Sequence, residues 1–329
     1  ALWFVKPDPA WALFALAGVA LANFGFEMAV VFYNAMLPGL TTPGRMGRLS
    51  GWAWGLGYAG GLSCLAVALI GFALPDQPWF GLTKAGGENI RATAVLTALW
   101  MAAFALPVFV WTPDSSAAPR PFGRAVVEGL VTLWATLKHL REHRAALRFL
   151  LARMIYTDGL NTLFAFGGIY AAGTFGMDFT EIIAFGIAIN VTAGLGAAGF
   201  GWVDDRFGPR LTILIALAGL FLLGAALLVA EGKIAFWALA TPMGLFVGPA
   251  QAASRTFMAH LAPKGVETEM FGLYALSGKA TAFVGPLALG WAAVAWDSQR
   301  AGMATILAFF VVGGAMLWGL KDPRPAPAA

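Results

Sequence analysis

Apolar stretches of about 20 residues follow one another along this chain, separated by short runs that contain Pro, Gly or charged residues. A helix of that length crosses the hydrocarbon core of a bilayer and satisfies all of its own backbone polar groups. Hydrophobic residues make up 59% of the 329 residues and charged residues only 12%, which excludes a soluble globular protein. The chain is therefore predicted to be an all-α, polytopic membrane protein.

The apolar windows predict about nine spans. Their approximate ends are Trp11–Leu37, Leu49–Leu74, Ile90–Trp111, Leu147–Ala171, Thr180–Trp202, Leu211–Ala230, Ile234–Ala259, Met270–Trp296 and Ala301–Leu320. The one long connection, residues 112–146, alternates apolar and charged residues at helical spacing, which predicts an amphipathic helix on the membrane surface. We therefore expect a three-span bundle over 1–111, a linker over 112–146, a six-span bundle over 147–320 and a tail over 321–329.

Basic residues are concentrated in alternate connections, for example at Arg45, at Arg206 and at Lys321 near the chain end. By the positive-inside rule these connections face the cytoplasm, and the C-terminus is predicted to lie on that side. Cys64 is the only cysteine, so no disulfide can form within the chain.

One connection between two spans reads G-W-V-D-D-R-F-G-P-R and contains Gly201, Asp205, Arg206, Gly208 and Arg210. The glycines allow two helix ends to approach, while the acid and the following arginine can bind a neighbouring helix terminus and so latch one conformation. The pattern resembles the D-R loop of the major facilitator superfamily. The alternative is a basic turn with an ordinary surface ion pair.

Glycines recur at one constant offset at the start of two spans, which predicts equivalent helices in two parallel halves. The matched residues are Gly44, Gly51 and Gly57 in the first copy and Gly265, Gly272 and Gly278 in the second. If the spans that begin at Leu49 and Met270 are equivalent, the second half has six spans and the first shows three. We therefore expect about three further spans to be encoded before Ala1.

Five stretches together resemble the vacuole effluxer-like, autophagy-related branch of the major facilitator superfamily. They are F-Y-N-A-M-L-P from Phe32, R-L-S-G-W-A-W-G-L-G-Y-A-G-G from Arg48, Y-T-D-G-L-N-T-L from Tyr156, G-P-A-Q-A-A-S-R from Gly248 and F-G-L-Y-A-L-S-G-K from Phe271. The resemblance covers nearly the whole chain except the long connection and the tail, and it lacks the family's first three helices. It implies a facilitator fold of about twelve spans and a secondary transporter. The eukaryotic relatives are associated with export of amino acids from the vacuole.

Charged residues inside the apolar spans are costly and mark functional positions by default. Asp158, Lys279 and Glu27 each lie about 9 to 11 residues from a span end, which places them roughly 15 Å from the same face, near the midplane. Our working hypothesis is that Asp158 pairs with Lys279 in one state, and that substrate or a proton breaks the pair. The alternative is a purely structural pair. Arg153 lies nearer the end of its span and is expected to snorkel to the membrane edge.

Polar neighbours extend this predicted substrate or coupling-ion site. Asn161 falls on the Asp158 face at i+3, and Asn23 lies one turn from Glu27. Asn190 lies in a stripe of small residues at helical spacing, for which close helix packing is the expected role.

A second polar group, Gln251, Ser254 and Arg255, lies near the cytoplasmic end of its span. These residues are predicted to gate that mouth or, alternatively, to satisfy backbone groups. Pro242 and Pro249 in the same span predict a helix that can bend.

Enzymatic chemistry has little support in the sequence. His139 and His143 share a helix face at i+4 but have no third ligand, and no nucleotide-binding loop, zinc-protease motif or nucleophile elbow is present. We therefore expect no catalytic residue, no metal, no cofactor and no nucleic-acid partner.

Two classes of function remain. The first is a secondary transporter of a small polar or zwitterionic, amino-acid-like solute, coupled to a proton or another ion, that works as a monomer in a bacterial inner membrane. The second is a polytopic membrane protein that does not transport, such as a lipid-acting enzyme or a scaffold. The glycine repeat and the D-R loop favour the first class.

Overall fold

The structure, a computed structural model, describes residues 1–112, 123–124, 127–129, 131–132 and 144–322. Most of the predicted amphipathic helix in 112–146, including His139 and His143, lies outside the described residues, as do residues 323–329 of the predicted tail. The main helices are α1 (Ala12–Ala35), α2 (Met46–Ala68), α3 (Glu88–Trp111), α4 (Arg144–Phe175), α5 (Phe179–Phe207), α6 (Pro209–Val229), α7 (Gly232–Leu261), α8 (Glu267–Ser277), α9 (Val284–Ala295) and α10 (Gln299–Trp318). Short helical turns occur at Leu2–Phe4, Pro9–Trp11, Leu37–Leu40, Pro43–Arg45, Leu69–Ala73 and Trp79–Gly81.

Seven helices in the described part of the chain are long and apolar enough to cross a membrane. They are Pro9–Ala35, Pro43–Ala73, Glu88–Trp111, Phe179–Phe207, Pro209–Val229, Gly232–Leu261 and Gln299–Trp318. The all-α, multi-pass fold class is thereby confirmed, but two of the nine predicted spans are not among the seven. One is α4, which is 32 residues long but carries Arg153 and Asp158, and these charged residues lower its mean hydropathy.

The other is the span predicted from Met270 to Trp296, and here the prediction of one continuous helix is wrong. Residues 278–283 form successive turns between α8 and α9, and we call this segment the helix break. Most of its backbone hydrogen bonds join residues three apart, as in Lys279 N–H to the Leu276 carbonyl at 3.0 Å. Pro286, in the first turn of α9, contributes to the change, because proline lacks an N–H and its ring clashes with the carbonyl four residues earlier, that of Ala282.

The chain separates into two compact units, Ala1–Val30 with Gly60–Val126 and Val31–Ala59 with Val127–Ala329. The predicted domain boundaries near residues 111 and 147 stay a prediction.

In the first unit, α3 packs against the helical turn at Leu2–Phe4. Arg91 donates a hydrogen bond to the Trp3 carbonyl at 3.0 Å, and its guanidinium lies 5.3 Å from the centre of the Trp3 ring. Asn89 donates to the Phe72 carbonyl at 3.1 Å. These contacts attach the start of α3 to the backbone at Trp3 and at Phe72.

The second unit has its core where α7 packs on α5 and α6, and where α10 packs on α4, α6 and α9. The rings of Phe149 and Phe257, both fully buried, stack with their centres 4.3 Å apart and join α4 to α7. Because lipid is as apolar as these side chains, close van der Waals packing and not exclusion from water holds such helices together. This core fixes the helices that carry the polar residues described below.

Glycines allow α2, α5 and α7 to approach backbone to backbone. A Cβ on Gly201 of α5 would lie 2.9 Å from the Cα of Arg48, and a Cβ on Gly248 of α7 would collide with the Ala193 carbonyl. The small-residue stripe of α5 therefore packs closely, as predicted. Asn190 within it donates to the carbonyl one turn earlier at 2.7 Å.

Candidate functional site

A group of polar side chains surrounds Arg255 on α7, and we call it the arginine cluster. The guanidinium donates to the Ser50 hydroxyl of α2 at 3.1 Å and to the Asn34 amide oxygen of α1 at 3.4 Å. It also lies 5.1 Å from the centre of the Tyr33 ring. Ser50 in turn donates to the Ala252 carbonyl at 2.8 Å. Arg255 is only 4% exposed, so a full positive charge lies inside the protein among neutral groups.

The residues next to Arg255 join α7 to two other helices. The Ser254 and Tyr156 hydroxyls lie 2.6 Å apart and link α7 to α4, and Ser254 also donates to the Ala250 carbonyl. The Tyr58 hydroxyl of α2 donates to the Gln251 side-chain oxygen at 2.8 Å. Gln251, Ser254 and Arg255 therefore bond mostly to side chains on other helices, and their predicted role at a cytoplasmic mouth stays a prediction.

Asp158 lies against the start of α9, just after the helix break. Its Oδ2 accepts a hydrogen bond from the Gly285 amide at 3.1 Å, so the carboxylate caps the positive end of this half-helix. Its Oδ1 is buried, and among the described residues no donor reaches it. A Cβ on Gly285 would collide with the Thr162 hydroxyl and lie 2.9 Å from Asp158 Oδ1, so only glycine allows this approach.

Arg153 holds the opposite side of the helix break, at the end of α8. It donates to the Tyr274 carbonyl at 2.5 Å and to the Ser277 hydroxyl at 2.8 Å, with its guanidinium 3.5 Å from the Tyr274 ring centre. These contacts are favourable because the last carbonyls of α8 need donors and favour a positive charge, and the predicted snorkelling of Arg153 to the membrane edge stays a prediction. Asn161 donates to the Gly278 carbonyl at 3.3 Å.

The structure brings only some of the predicted substrate-site residues together. Asp158 and Asn161 both contact the helix-break region, in which Lys279 lies with an exposed side chain. Asp158 and Lys279 make no ion pair here, and the state in which they would pair stays a prediction. Asn23 and Glu27 belong to the first compact unit, and their role also stays a prediction.

The predicted D-R loop is mostly helical. Helix α5 continues to Phe207, so Arg206 is in its last turn, and only Gly208, at φ 95° and ψ 156°, separates it from α6. Glycine is required at that positive φ. Arg210 donates to the carbonyl of Leu320, two residues after the end of α10, at 2.5 Å.

Asp205 in this segment binds a neighbouring helix terminus, as predicted. It accepts hydrogen bonds from the Gly47 amide at 2.7 Å and the Arg48 amide at 3.3 Å, at the start of α2. The Arg48 Nε–H adds a third bond at 2.5 Å. The contact joins α5 to α2, while the conformational change that it would latch stays a prediction.

Several residues in and beside the arginine cluster were not among the predicted site residues: Tyr33, Asn34, Ser50, Tyr58 and Tyr156. The signal for them was present, because each lies in a stretch that carries the family resemblance. The stretches beginning at Phe32, Arg48, Tyr156 and Gly248 are far apart in the sequence and converge at this cluster.

The described residues also form an open apolar groove of about 600 Å³ between α6 and α10. Its lining includes Leu217, Phe221, Phe310 and Trp318. It offers no polar side chain to a polar solute. Among the described residues, no group of three or more His, Cys, Asp or Glu residues could hold a metal ion.

Comparison with known proteins gives a consistent result. The family model described as "Vacuole effluxer Atg22 like" matches residues 1–328. An uncharacterized MFS-type transporter of Bacillus subtilis, YxiO, is 25% identical over 93% of this chain and 71% of its own length. Autophagy-related protein 22 of Cryptococcus neoformans is 26% identical over 80% of this chain. The match covers 51% of that fungal protein, so the chain spans about half its length.

Among solved structures, the fucose:proton symporter FucP of E. coli is similar in fold. The TM-score is 0.68 with 13% sequence identity, over 88% of this chain and 73% of the symporter. At that identity the likeness concerns the fold alone. It confirms the expectation of an all-α facilitator fold.

Proposed function

The chain belongs to the vacuole effluxer Atg22-like family, and from this membership we propose that it is a secondary active transporter of a small polar or zwitterionic, amino-acid-like solute. It is an integral multi-pass membrane protein, and membership in a family of transporters agrees with the prediction that it is not an enzyme. Transport would proceed by alternating access, with a proton or another ion as the driving species.

The observation that carries this proposal is the carboxylate of Asp158 at the helix break. Asp158 is 2% exposed, and one of its oxygens is bonded to the Gly285 amide while the other has no donor among the described residues. Transporter sites are typically formed where a discontinuous helix exposes backbone groups near the bilayer midplane. A proton or a substrate ammonium group would find an open acceptor at Oδ1.

Binding at Asp158 would act next to the helix break, where the regular helical hydrogen bonds are already interrupted. The Gly285 amide and the helix dipole of α9 favour the charged carboxylate, so neutralising that charge weakens its contact with α9. Arg153 keeps the end of α8 attached to the same helix, α4. The helix break could then act as a hinge between a fixed half and a released half, since turns within a helix often mark hinges.

Lys279 is the predicted partner of Asp158 in the alternate state. The protein is proposed to be a monomer in a bacterial inner membrane with its C-terminus in the cytoplasm, because the basic residues follow the positive-inside pattern.

Transport by the reconstituted protein tests the proposal. The protein, expressed from its complete reading frame, is placed in liposomes, and counterflow of radiolabelled amino acids is measured over a range of pH. Asp158→Asn is expected to abolish the pH dependence and to lower uptake at least about tenfold, since it keeps the shape but not the titratable charge. Asp178→Asn is the matched control, because Asp178 caps the start of α5 at an exposed position.

Two outcomes would contradict the proposal at different levels. If no solute exchanges in the wild-type protein, the non-transporting class of membrane protein is favoured. If Asp158→Asn transports with unchanged rate and pH dependence, the protein is a transporter but Asp158 is not its coupling site.

A further inference from the structure

Arg255 is a buried cation whose protein partners carry no charge. Among the described residues it contacts the Ser50 hydroxyl, the Asn34 amide oxygen and the Tyr33 ring. A guanidinium carries five N–H donors and stays charged at any physiological pH. Hydrogen bonds to protein use two of these donors, which leaves three without an acceptor among the described residues.

Burying a charge without a counter-charge is costly, because the group loses its hydration and gains only neutral hydrogen bonds. One arginine near this cluster does have an opposite charge beside it. Arg48 is paired with Asp205 at 2.5 Å. Arg255 has no carboxylate within ion-pair distance among the described residues. A purely structural link between α7, α2 and α1 needs only a neutral donor such as Gln.

We propose that the Arg255 guanidinium binds the carboxylate group of the solute that this protein transports. The planar guanidinium of arginine binds a carboxylate through two parallel hydrogen bonds. The three N–H groups of Arg255 that have no acceptor among the described residues are available for such a pair. The proposal names a substrate class, a carboxylate-bearing solute, and for the transport step it rests on the proposed function. Arg255 acts in it as a binding residue and not as part of a gate.

A carboxylate fits better than a phosphate group. The residues that Arg255 contacts add no second positive charge, so the cluster compensates one negative charge and not two. Ser50 already donates its hydroxyl proton to the Ala252 carbonyl, so it has none left for additional anion oxygens. Phosphate sites usually combine several donors with helix N-termini or clustered cations.

The test is a binding measurement on the purified protein. The thermal unfolding midpoint is recorded with a mixture of the twenty amino acids, with the corresponding mixture of amino-acid amides, and with inorganic phosphate. We expect stabilisation by the acids and little by the amides or phosphate. In Arg255→Gln, the amino-acid concentration needed for the same shift of the unfolding midpoint should rise at least about tenfold. Arg255→Lys should restore the effect of the acids only in part, because it keeps the charge but loses the planar guanidinium.

Two controls accompany this measurement, one for the loss of an arginine elsewhere and one for a lipid as the source of the carboxylate. Arg144→Gln removes an exposed arginine at the start of α4 and should leave binding unchanged. The measurements are repeated in nanodiscs of phosphatidylcholine with and without phosphatidylserine. Stabilisation that needs phosphatidylserine and disappears in Arg255→Gln would assign the site to a lipid headgroup and overturn the solute assignment.

Failure of this inference can be told apart from failure of the proposed function. If the wild-type protein transports amino acids and Arg255→Gln keeps the same preference for acids over amides, Arg255 is not the carboxylate site. If acids bind through Arg255 but no solute is transported, the binding site stands and the transport function fails.

Discussion

The helix break and the arginine cluster each bury one full charge in the second compact unit, but they compensate it differently. At the helix break, the carboxylate of Asp158 receives the Gly285 amide at the positive end of α9. In the arginine cluster, the guanidinium of Arg255 meets only a hydroxyl, an amide oxygen and an aromatic ring. One charge is stabilised by backbone, and the other is not stabilised by any opposite charge.

The difference indicates two roles for buried charge in one protein. A carboxylate held by backbone amides can gain or lose a proton and so change how firmly a half-helix is attached. A guanidinium cannot lose its proton, and no carboxylate of the described residues pairs with Arg255, so an anionic ligand would compensate its charge. The first arrangement suits a switch and the second suits recognition. Four experiments test this comparison.

The largest effect is expected at Gly285. Gly285→Ala would place a Cβ against the Thr162 hydroxyl and 2.9 Å from Asp158 Oδ1, so α9 must move away from α4. We expect a loss of about 2 to 3 kcal/mol of stability in thermal or denaturant unfolding, together with a loss of transport. Gly290→Ala in the same helix has nothing within 4 Å of its Cβ and should be neutral or slightly stabilising. Equal effects at both positions would refute the close contact.

The next test compares the two charges directly. Asp158→Ala should destabilise the protein by about 1 to 2 kcal/mol, because it leaves the start of α9 without its cap. Arg255→Met should be neutral or stabilise by up to about 2 kcal/mol in the absence of ligand, because it removes a charge that nothing in the protein compensates. Both are measured as unfolding free energies in the same detergent. A clear destabilisation by Arg255→Met would make Arg255 a structural residue and remove the contrast.

The third experiment asks whether a helix cap supplied by another helix contributes the same stability at a different position. Asp205 caps α2 as Asp158 caps α9, but it also pairs with the partly exposed Arg48. Asp205→Ala should cost about 1 kcal/mol in unfolding free energy, and Asp205→Asn less, because Asn is also a good helix cap. Binding of amino acids should stay unchanged. A loss of binding would mean that this contact shapes the arginine cluster.

The smallest effect is expected from the hydrogen bond that joins the two helices carrying the charges. Tyr156→Phe removes the hydroxyl 2.6 Å from Ser254 and should cost about 0.5 to 1.5 kcal/mol, with the ring still in place. Combined with Ser254→Ala in a double-mutant cycle, it measures the coupling between α4 and α7. A coupling energy of zero would show that the two regions are not linked through this bond.

Local sequence signals were sufficient for much of the fold. Apolar length predicted the helices, small-residue spacing predicted the close packing of α5, and the acid of the D-R segment predicted a bond to a neighbouring helix terminus. The helix break was missed because apolar length cannot distinguish one span from two half-helices. Pro286 was a visible signal that the window from Met270 to Trp296 did not take into account.

The sequence by itself determined that this is an all-α membrane protein with charges buried in its spans, since apolar length and the cost of a charge in lipid depend on local composition alone. Only the tertiary structure decided what each charge meets. Asp158 is 127 residues from Gly285, and Arg255 is 205 residues from Ser50 and 221 from Asn34. Compensation of a buried charge depends on contacts within a few ångströms, and those come from helix packing and not from neighbours in the sequence.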